Sequence, residues 1–267
     1  MSTSLAMTRD EALHLHVVPE LDDAPLLLAF DGWNDGGESA TIAVEYIERA
    51  IRCVPLAEID CEEFFDFTVR RPTVSIDEAD RRIIDWPVAK FGYGAIDQNR
   101  EIVIGVAVEP HMRWRRYCDL VAELVQKLRI RRVVMLGAFL ADVLYSLPVV
   151  VSGFATRDEL LELQGVKRSR YEGPTGIVGV LTERLHADGV EVISLWAGLP
   201  HYISSSPNPR GALALVQKAT EYLDIKIDDT ALKNDVAEFE SRISELVASD
   251  PELEEYVRQL KRREFAQ

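Results

Sequence analysis

Five short stretches of this chain are apolar with little alternation, and they limit its possible folds more than any other feature. They are Pro25–Phe30 (PLLLAF), Glu101–Val108 (EIVIGVAV), Arg132–Leu136, Pro148–Phe154 and Glu191–Trp196. Each has strand length. A strand that is apolar on both faces must be covered on both, as happens when a parallel sheet lies between helices. Helical periodicity fills the intervals. Ile42, Tyr46 and Ile47 recur within Ser39–Arg52, with Ala43 and Ala50 small enough for close approach to a sheet. Tyr117, Leu120, Val121, Leu124 and Leu128 mark Trp114–Leu128, and Gly173-Pro174-Thr175-Gly176 opens a helix running to about His186. A short helix over Asp158–Leu163 and a last one over Pro209–Leu223 follow, the latter with Asn208 as cap and Pro209 in its first turn. Between these, strands are expected around Ile59 and over Phe65–Val69, then a polar stretch, with Gly92-Tyr93-Gly94 as a turn. Strands alternating with helices at this spacing predict a three-layer α/β/α domain with a mainly parallel sheet, occupying residues 1–228.

Residues 229–267 read differently. Leu232, Val236, Phe239, Ile243 and Leu246 form a narrow apolar seam at steps of four and three. Ser249-Asp250-Pro251 ends that helix and starts a second, with Leu253, Tyr256, Val257 and Leu260 on one face. The expectation is a C-terminal helical hairpin. It either packs back on the first domain or offers Leu232, Val236, Phe239, Ile243, Leu253, Tyr256 and Leu260 to a partner or sister subunit.

Charge removes several function classes. Asp and Glu total 45 against 30 Lys and Arg, a net charge of −15, which opposes nucleic-acid backbones and anionic membranes. Residues 133–155 imitate a membrane span, but Asp142 and Pro148 interrupt it, so two buried strands are the better reading. The first eleven residues lack a basic segment followed by an apolar one, so a secretory leader is not expected. Cys53, Cys61 and Cys118 have no C-x-x-C spacing, and His14 and His16 sit two apart as on one strand face. No metal and no cofactor is expected from these, and the thiols suit the cytoplasm.

In open parallel sheets ligands gather beyond the carboxyl ends of the strands. The residues there are Asp31, Asn34, Asp35 and Glu38; Glu109, His111 and Arg113; Asp142; Thr156 and Arg157; and His201, Tyr202 and Ser204–Ser206. Together with Trp33 they outline a possible pocket of acids and bases. In Asp31–Glu38 three glycines precede a helix, which could admit an anion to backbone N–H groups. Asp31, Asp35 and Glu38 oppose phosphate, however, and fit capping of the helix dipole; a metal-bridged anion or a cationic ligand is the other option. No G-x-S-x-G elbow and no phosphate-binding P-loop occurs. A triad could be assembled from Ser204, His201 and Asp31, but nothing in the sequence brings them together.

Several phrases resemble one family. Gly32-Trp33-Asn34-Asp35-Gly36-Gly37-Glu38 after a buried strand resembles the G-W-x-D-A-G segment of the proteasome assembly chaperone 2 family. Glu109-Pro110 with Arg113-Trp114, Tyr171 to Ile177, and Ser194 to Tyr202 are similar to its prokaryotic, actinobacterial-type branch, in the family's order from about residue 25 to 225. The resemblance implies a fold like the phosphorylase/hydrolase class, self-association, and a non-enzymatic role in assembling a protein complex, with proteasome core subunits as possible partners. It carries no catalytic residues over. The chain departs from the family's hydrophobic-Tyr-any tail, ending Phe265-Ala266-Gln267. The alternative is a small-molecule hydrolase, transferase or ligand sensor using the loops at the strand tips. It requires those loops to converge on one cavity.

Overall fold

The computed structural model describes residues 12–162, 165–203 and 207–264. In chain order the elements begin with β1 (Leu13–Leu15), β2 (Leu26–Asp31), a 3₁₀ turn (Gly36–Glu38), α1 (Ser39–Ile51) and β3 (Val54–Ile59). Next come β4 (Thr73–Ile76), β5 (Arg82–Asp85), β6 (Ala89–Ala95), β7 (Glu101–Val108), α2 (Trp114–Lys127) and β8 (Arg132–Ala141). The chain continues through β9 (Val151–Ala155), α3 (Glu159–Glu162), β10 (Lys167–Arg168), α4 (Ile177–Ala187) and β11 (Glu191–Pro200). It closes with α5 (Pro209–Leu223), α6 (Thr230–Ser249) and α7 (Pro251–Glu264).

Nine strands form one sheet in the order β1-β3-β6-β7-β2-β8-β11-β9-β10. Its centre, β7-β2-β8-β11, is parallel throughout, with Leu26 opposite both Val103 and Val133. These are the continuous apolar runs, and alternation along them feeds two separate cores. Leu26, Leu28, Phe30, Val103, Val133 and Met135 point to the face covered by α2 and α4. Leu27, Ala29, Ile102, Ile104, Val134 and Leu136 point to the face covered by α1 and α5. Two-sided burial is why their sequence lacks a polar face. The flanks are antiparallel at β6 on β7, β3 on β6, β1 on β3 and β9 on β11, while the edge strand β10 runs parallel to β9.

Three local expectations are corrected. Gly92-Tyr93-Gly94 lies inside β6, where the glycines admit neighbours: a Cβ on Gly94 would lie 2.7 Å from Ile51 Cγ2. Phe65–Val69 is not a strand but a run of turns, held because Phe64 and Phe65 are buried in the core and Phe64 packs edge-on to Tyr117. The polar stretch after it contains the hairpin β4–β5, a separate two-stranded sheet exposed along its length. Part of the expected helix Asp158–Leu163 is α3; Leu163 lies outside the described residues.

Helices α6 and α7 fold back on the body. Phe239, Ile243, Val247, Val257 and Leu260 share one buried cluster with Leu144 and Ile203, while Leu232 joins the core beneath α5. Most of the seam is therefore consumed within the chain: only Val236, Leu253 and Tyr256 of the candidate contact residues are half-buried, and the others are buried. Residues 133–155 are divided between β8 and β9, and among the described residues no helix is long and apolar enough to cross a membrane.

Candidate functional site

The carboxyl ends of β2, β7, β8 and β11 lie along one edge of the sheet, and most of the candidate residues sit there. Many are bound into the scaffold. Asp35 is buried and stands at the start of α1. Its Oδ1 accepts the Ala40 N–H at 2.6 Å, and its Oδ2 accepts the Thr41 N–H at 3.0 Å and the Thr41 hydroxyl at 2.5 Å. That is dipole capping, the first of the two readings of the glycine-rich turn. Burial raises the Asp35 pKa; the Thr41 and Ala40 hydrogen bonds lower it, and Asp31 nearby raises it further. Glu38 occupies the left-handed position just before α1, with φ 54°.

Asn34 is 1% exposed and ties three elements together. Its carbonyl accepts the Ala138 N–H of β8 at 2.9 Å, and its Nδ2 donates to Glu109 Oε1 at 2.6 Å. The same Glu109 oxygen accepts the Ile177 N–H at 2.8 Å, so Glu109 caps α4 from the end of β7. Gly176 is needed at that junction: a Cβ there would lie 2.2 Å from Asn34 Oδ1. Arg113, with φ 53° at the start of α2, pairs with Glu63.

What remains between β2 and β7 is an open cleft of about 400 Å³ lined by Asp31, Trp33, Arg70, Glu109, His111 and Trp114, among others. Arg70 Nη2 donates to Asp31 Oδ2 at 2.5 Å across it. Arg70 was not among the sequence candidates. A signal existed in Asp66-Phe67-Thr68, where Asp66 Oδ1 accepts the Thr68 N–H at 2.8 Å and starts the turn that carries Arg70. His111 Nδ1 accepts the Asp66 N–H at 2.9 Å and ties that turn to the cleft wall.

Two candidates lie elsewhere. Arg157 pairs with Glu191 at the start of β11, the opposite end of the sheet, because β9 runs antiparallel to β11. Thr156 is there too, its hydroxyl exchanging hydrogen bonds with Val192. His201 does follow β11, but its Nδ1 lies 3.1 Å from Asp142 Oδ1, and its ring meets Tyr202 and Tyr256 edge-on at 5.6 and 5.7 Å. Tyr256 donates to the same Asp142 oxygen at 3.1 Å, so this group fastens α7 to the tips of β8 and β11. Asp31 pairs with Arg70 rather than with His201, and Ser204–Ser206 lie outside the described residues. Among the described residues, Asp35, Glu109, Arg157 and His201 do not share one cavity, since Arg157 stands at the far end of the sheet and His201 is held by Asp142. Among the described residues no cluster of His, Cys, Asp and Glu fits a metal ion.

The model of the PAC2 family matches residues 29–247. A PAC2 family protein from Streptomyces avermitilis is 36% identical and superposes with a TM-score of 0.80, covering 88% of this chain and 100% of that one. A proteasome-assembly chaperone homologue from Mycobacterium tuberculosis is also 36% identical, with a TM-score of 0.79 over 87% of this chain and 99% of that one. An archaeal proteasome activator from Pyrococcus furiosus shares the fold, with a TM-score of 0.70 at 18% identity over 88% and 97% of the two chains. Among curated proteins none matches the chain.

Proposed function

The chain belongs to the PAC2 family, and on that premise we propose that it is a non-enzymatic, self-associating cytoplasmic protein that assists assembly of a protein complex, with proteasome core subunits as its partners. The observation carrying this reading is the 36% identity, over 87% of the chain, to a mycobacterial proteasome-assembly chaperone homologue. The tip chemistry supports it. Asp35 is spent through both oxygens on capping α1, Glu109 is fixed in place through Oε1 at the start of α4, and His201 and Asp142 hold α7. A general acid or base has to be free to reach a substrate proton. The tail Phe265-Ala266-Gln267 lies outside the described residues.

The test is reconstitution. Purified α- and β-type core subunits of the cognate proteasome are mixed with and without this protein, and maturation is followed by native gel and native mass spectrometry. Faster appearance of the mature core, through an intermediate containing this chain, is the expected result. Unchanged kinetics with no mixed species would sink it. A ligand-sensing role is the second reading, favoured by the cleft beside Trp33.

A further inference from the structure

The cleft between β2 and β7 already holds a cation of its own. The Arg70 guanidinium sits 2.5 Å from Asp31, and a second carboxylate is close by. Glu109 uses Oε1 for Asn34 and Ile177, while its Oε2 faces Gly32, where a Cβ would stand 3.6 Å from it. A Cβ at Gly32 would press on Glu109 Cβ at 3.2 Å, and the φ of 133° there also favours glycine. Two indoles line the same cleft, and Trp33 is 64% exposed despite its size. Carboxylates beside flat aromatic faces suit guanidinium: it is planar, weakly hydrated, stacks on rings and meets a carboxylate with two donors. A compact, strongly hydrated ammonium fits less well, and the net charge of −15 repels anions.

We propose that this cleft is a binding site for a guanidinium group, and that Arg70 is an internal occupant which such a ligand displaces. Displacement is easy for two structural reasons. The Arg70–Asp31 pair is well exposed, at 48% and 27% of the two side chains, and exposed pairs are weak. Arg70 is carried by the turn at residues 66–70 rather than by a helix or strand, so it can leave without disturbing the sheet. Val69, 69% exposed on the cleft's rim, offers apolar contact to whatever carries the guanidinium. The shared chemistry can come from an arginine side chain in a polypeptide or from free arginine.

Indole N–H signals in ¹⁵N NMR read the site directly. Wild type, Arg70→Gln, and Arg70→Gln combined with Asp31→Asn are titrated with N-acetyl-arginine amide, its citrulline counterpart and free arginine. The arginine amide is expected to shift the Trp33 and Trp114 signals saturably and leave Trp196 in place. Removing the internal competitor should tighten apparent binding about two- to fivefold in Arg70→Gln, as the release of one weak exposed pair allows, and the added Asp31→Asn should abolish it. Binding of the amide alone assigns the site to arginine within a polypeptide; equal binding of free arginine assigns it to the small molecule. Absence of saturable shifts in Arg70→Gln, or citrulline binding as tightly as arginine, would overturn the proposal. So would undiminished binding by a folded double variant. If melting shows the double variant unfolded, the arginine–citrulline comparison in Arg70→Gln decides alone.

Discussion

Asp35 shows how a side chain at a strand tip can look catalytic and serve the scaffold. It accepts three hydrogen bonds at the start of α1 while buried, and burial dominates its pKa, which is raised. A raised value in the folded state means that the folded chain holds the proton more tightly than the unfolded one. The stability it contributes is then fullest below the unfolded value near 3.8 and declines as pH rises through the folded value. Asp35→Asn keeps one acceptor but sets an amide N–H₂ against the Thr41 donors. It should cost about 0.5–2 kcal/mol at neutral pH, the usual range for a lost cap. The gap between wild type and variant should widen toward acid. Urea unfolding across that pH range checks both, and a gap that grows with rising pH would refute the assignment. The Asn208 cap was legible from an Asn before a Pro, and its side chain indeed accepts from the Arg210 and Gly211 N–H groups. The Asn34–Glu109 bond was not, because it joins residues 75 apart that only the sheet makes neighbours.

At the scale of elements, the parallel centre was readable from apolar runs, whereas strand direction at the edge was not taken from them. β9 is largely apolar, as β8 and β11 are, and apolarity has no polarity along the chain. The direction was nonetheless encoded in loop length. The residues 142–150 between β8 and β9 are too few for the dozen or more that a parallel crossover needs, so β9 had to run back. Arg157 was misplaced for that reason alone. The hairpin α6–α7 shows the opposite case, in which Leu232, Phe239 and Ile243 of the seam are buried as read, Val247 takes the place expected of the exposed Leu246, and the partner was open. It is closed by Leu144 and Ile203. Phe239, 2% exposed at the centre of that contact, should be the costly position. Phe239→Ala is expected to lose about 3–5 kcal/mol and to speed amide exchange throughout α6 and α7, while Val236→Ala, on the half-buried flank, changes little. Equal effects from the two would mean that the helices are not docked as described.

On the scale of the molecule, a charge of −15 sets a condition on self-association. Copies repel until salt shortens the range of the field, from about 30 Å at 0.01 M to about 8 Å at 0.15 M. Light scattering should therefore give masses above the 30.1 kDa protomer, rising or persisting as salt is added. A protomer mass at every ionic strength would end the self-association part of the proposed function. Repulsion also leaves the cleft selective for cations, the condition under which Arg70 can be exchanged for another guanidinium.

Local composition was enough to determine the layers, the parallel centre, the helix starts and the family. Burial on both faces and 3.6-residue periodicity are written into short windows, and a window does not need to know what lies opposite it. Which tip residues meet was decided only by the folded chain. Strand order brought Asp31 to Arg70 and Asn34 to Glu109, and the reversal of β9 sent Arg157 to the far end. The energy of such long-range pairs depends on three-dimensional distance, to which sequence separation is no guide.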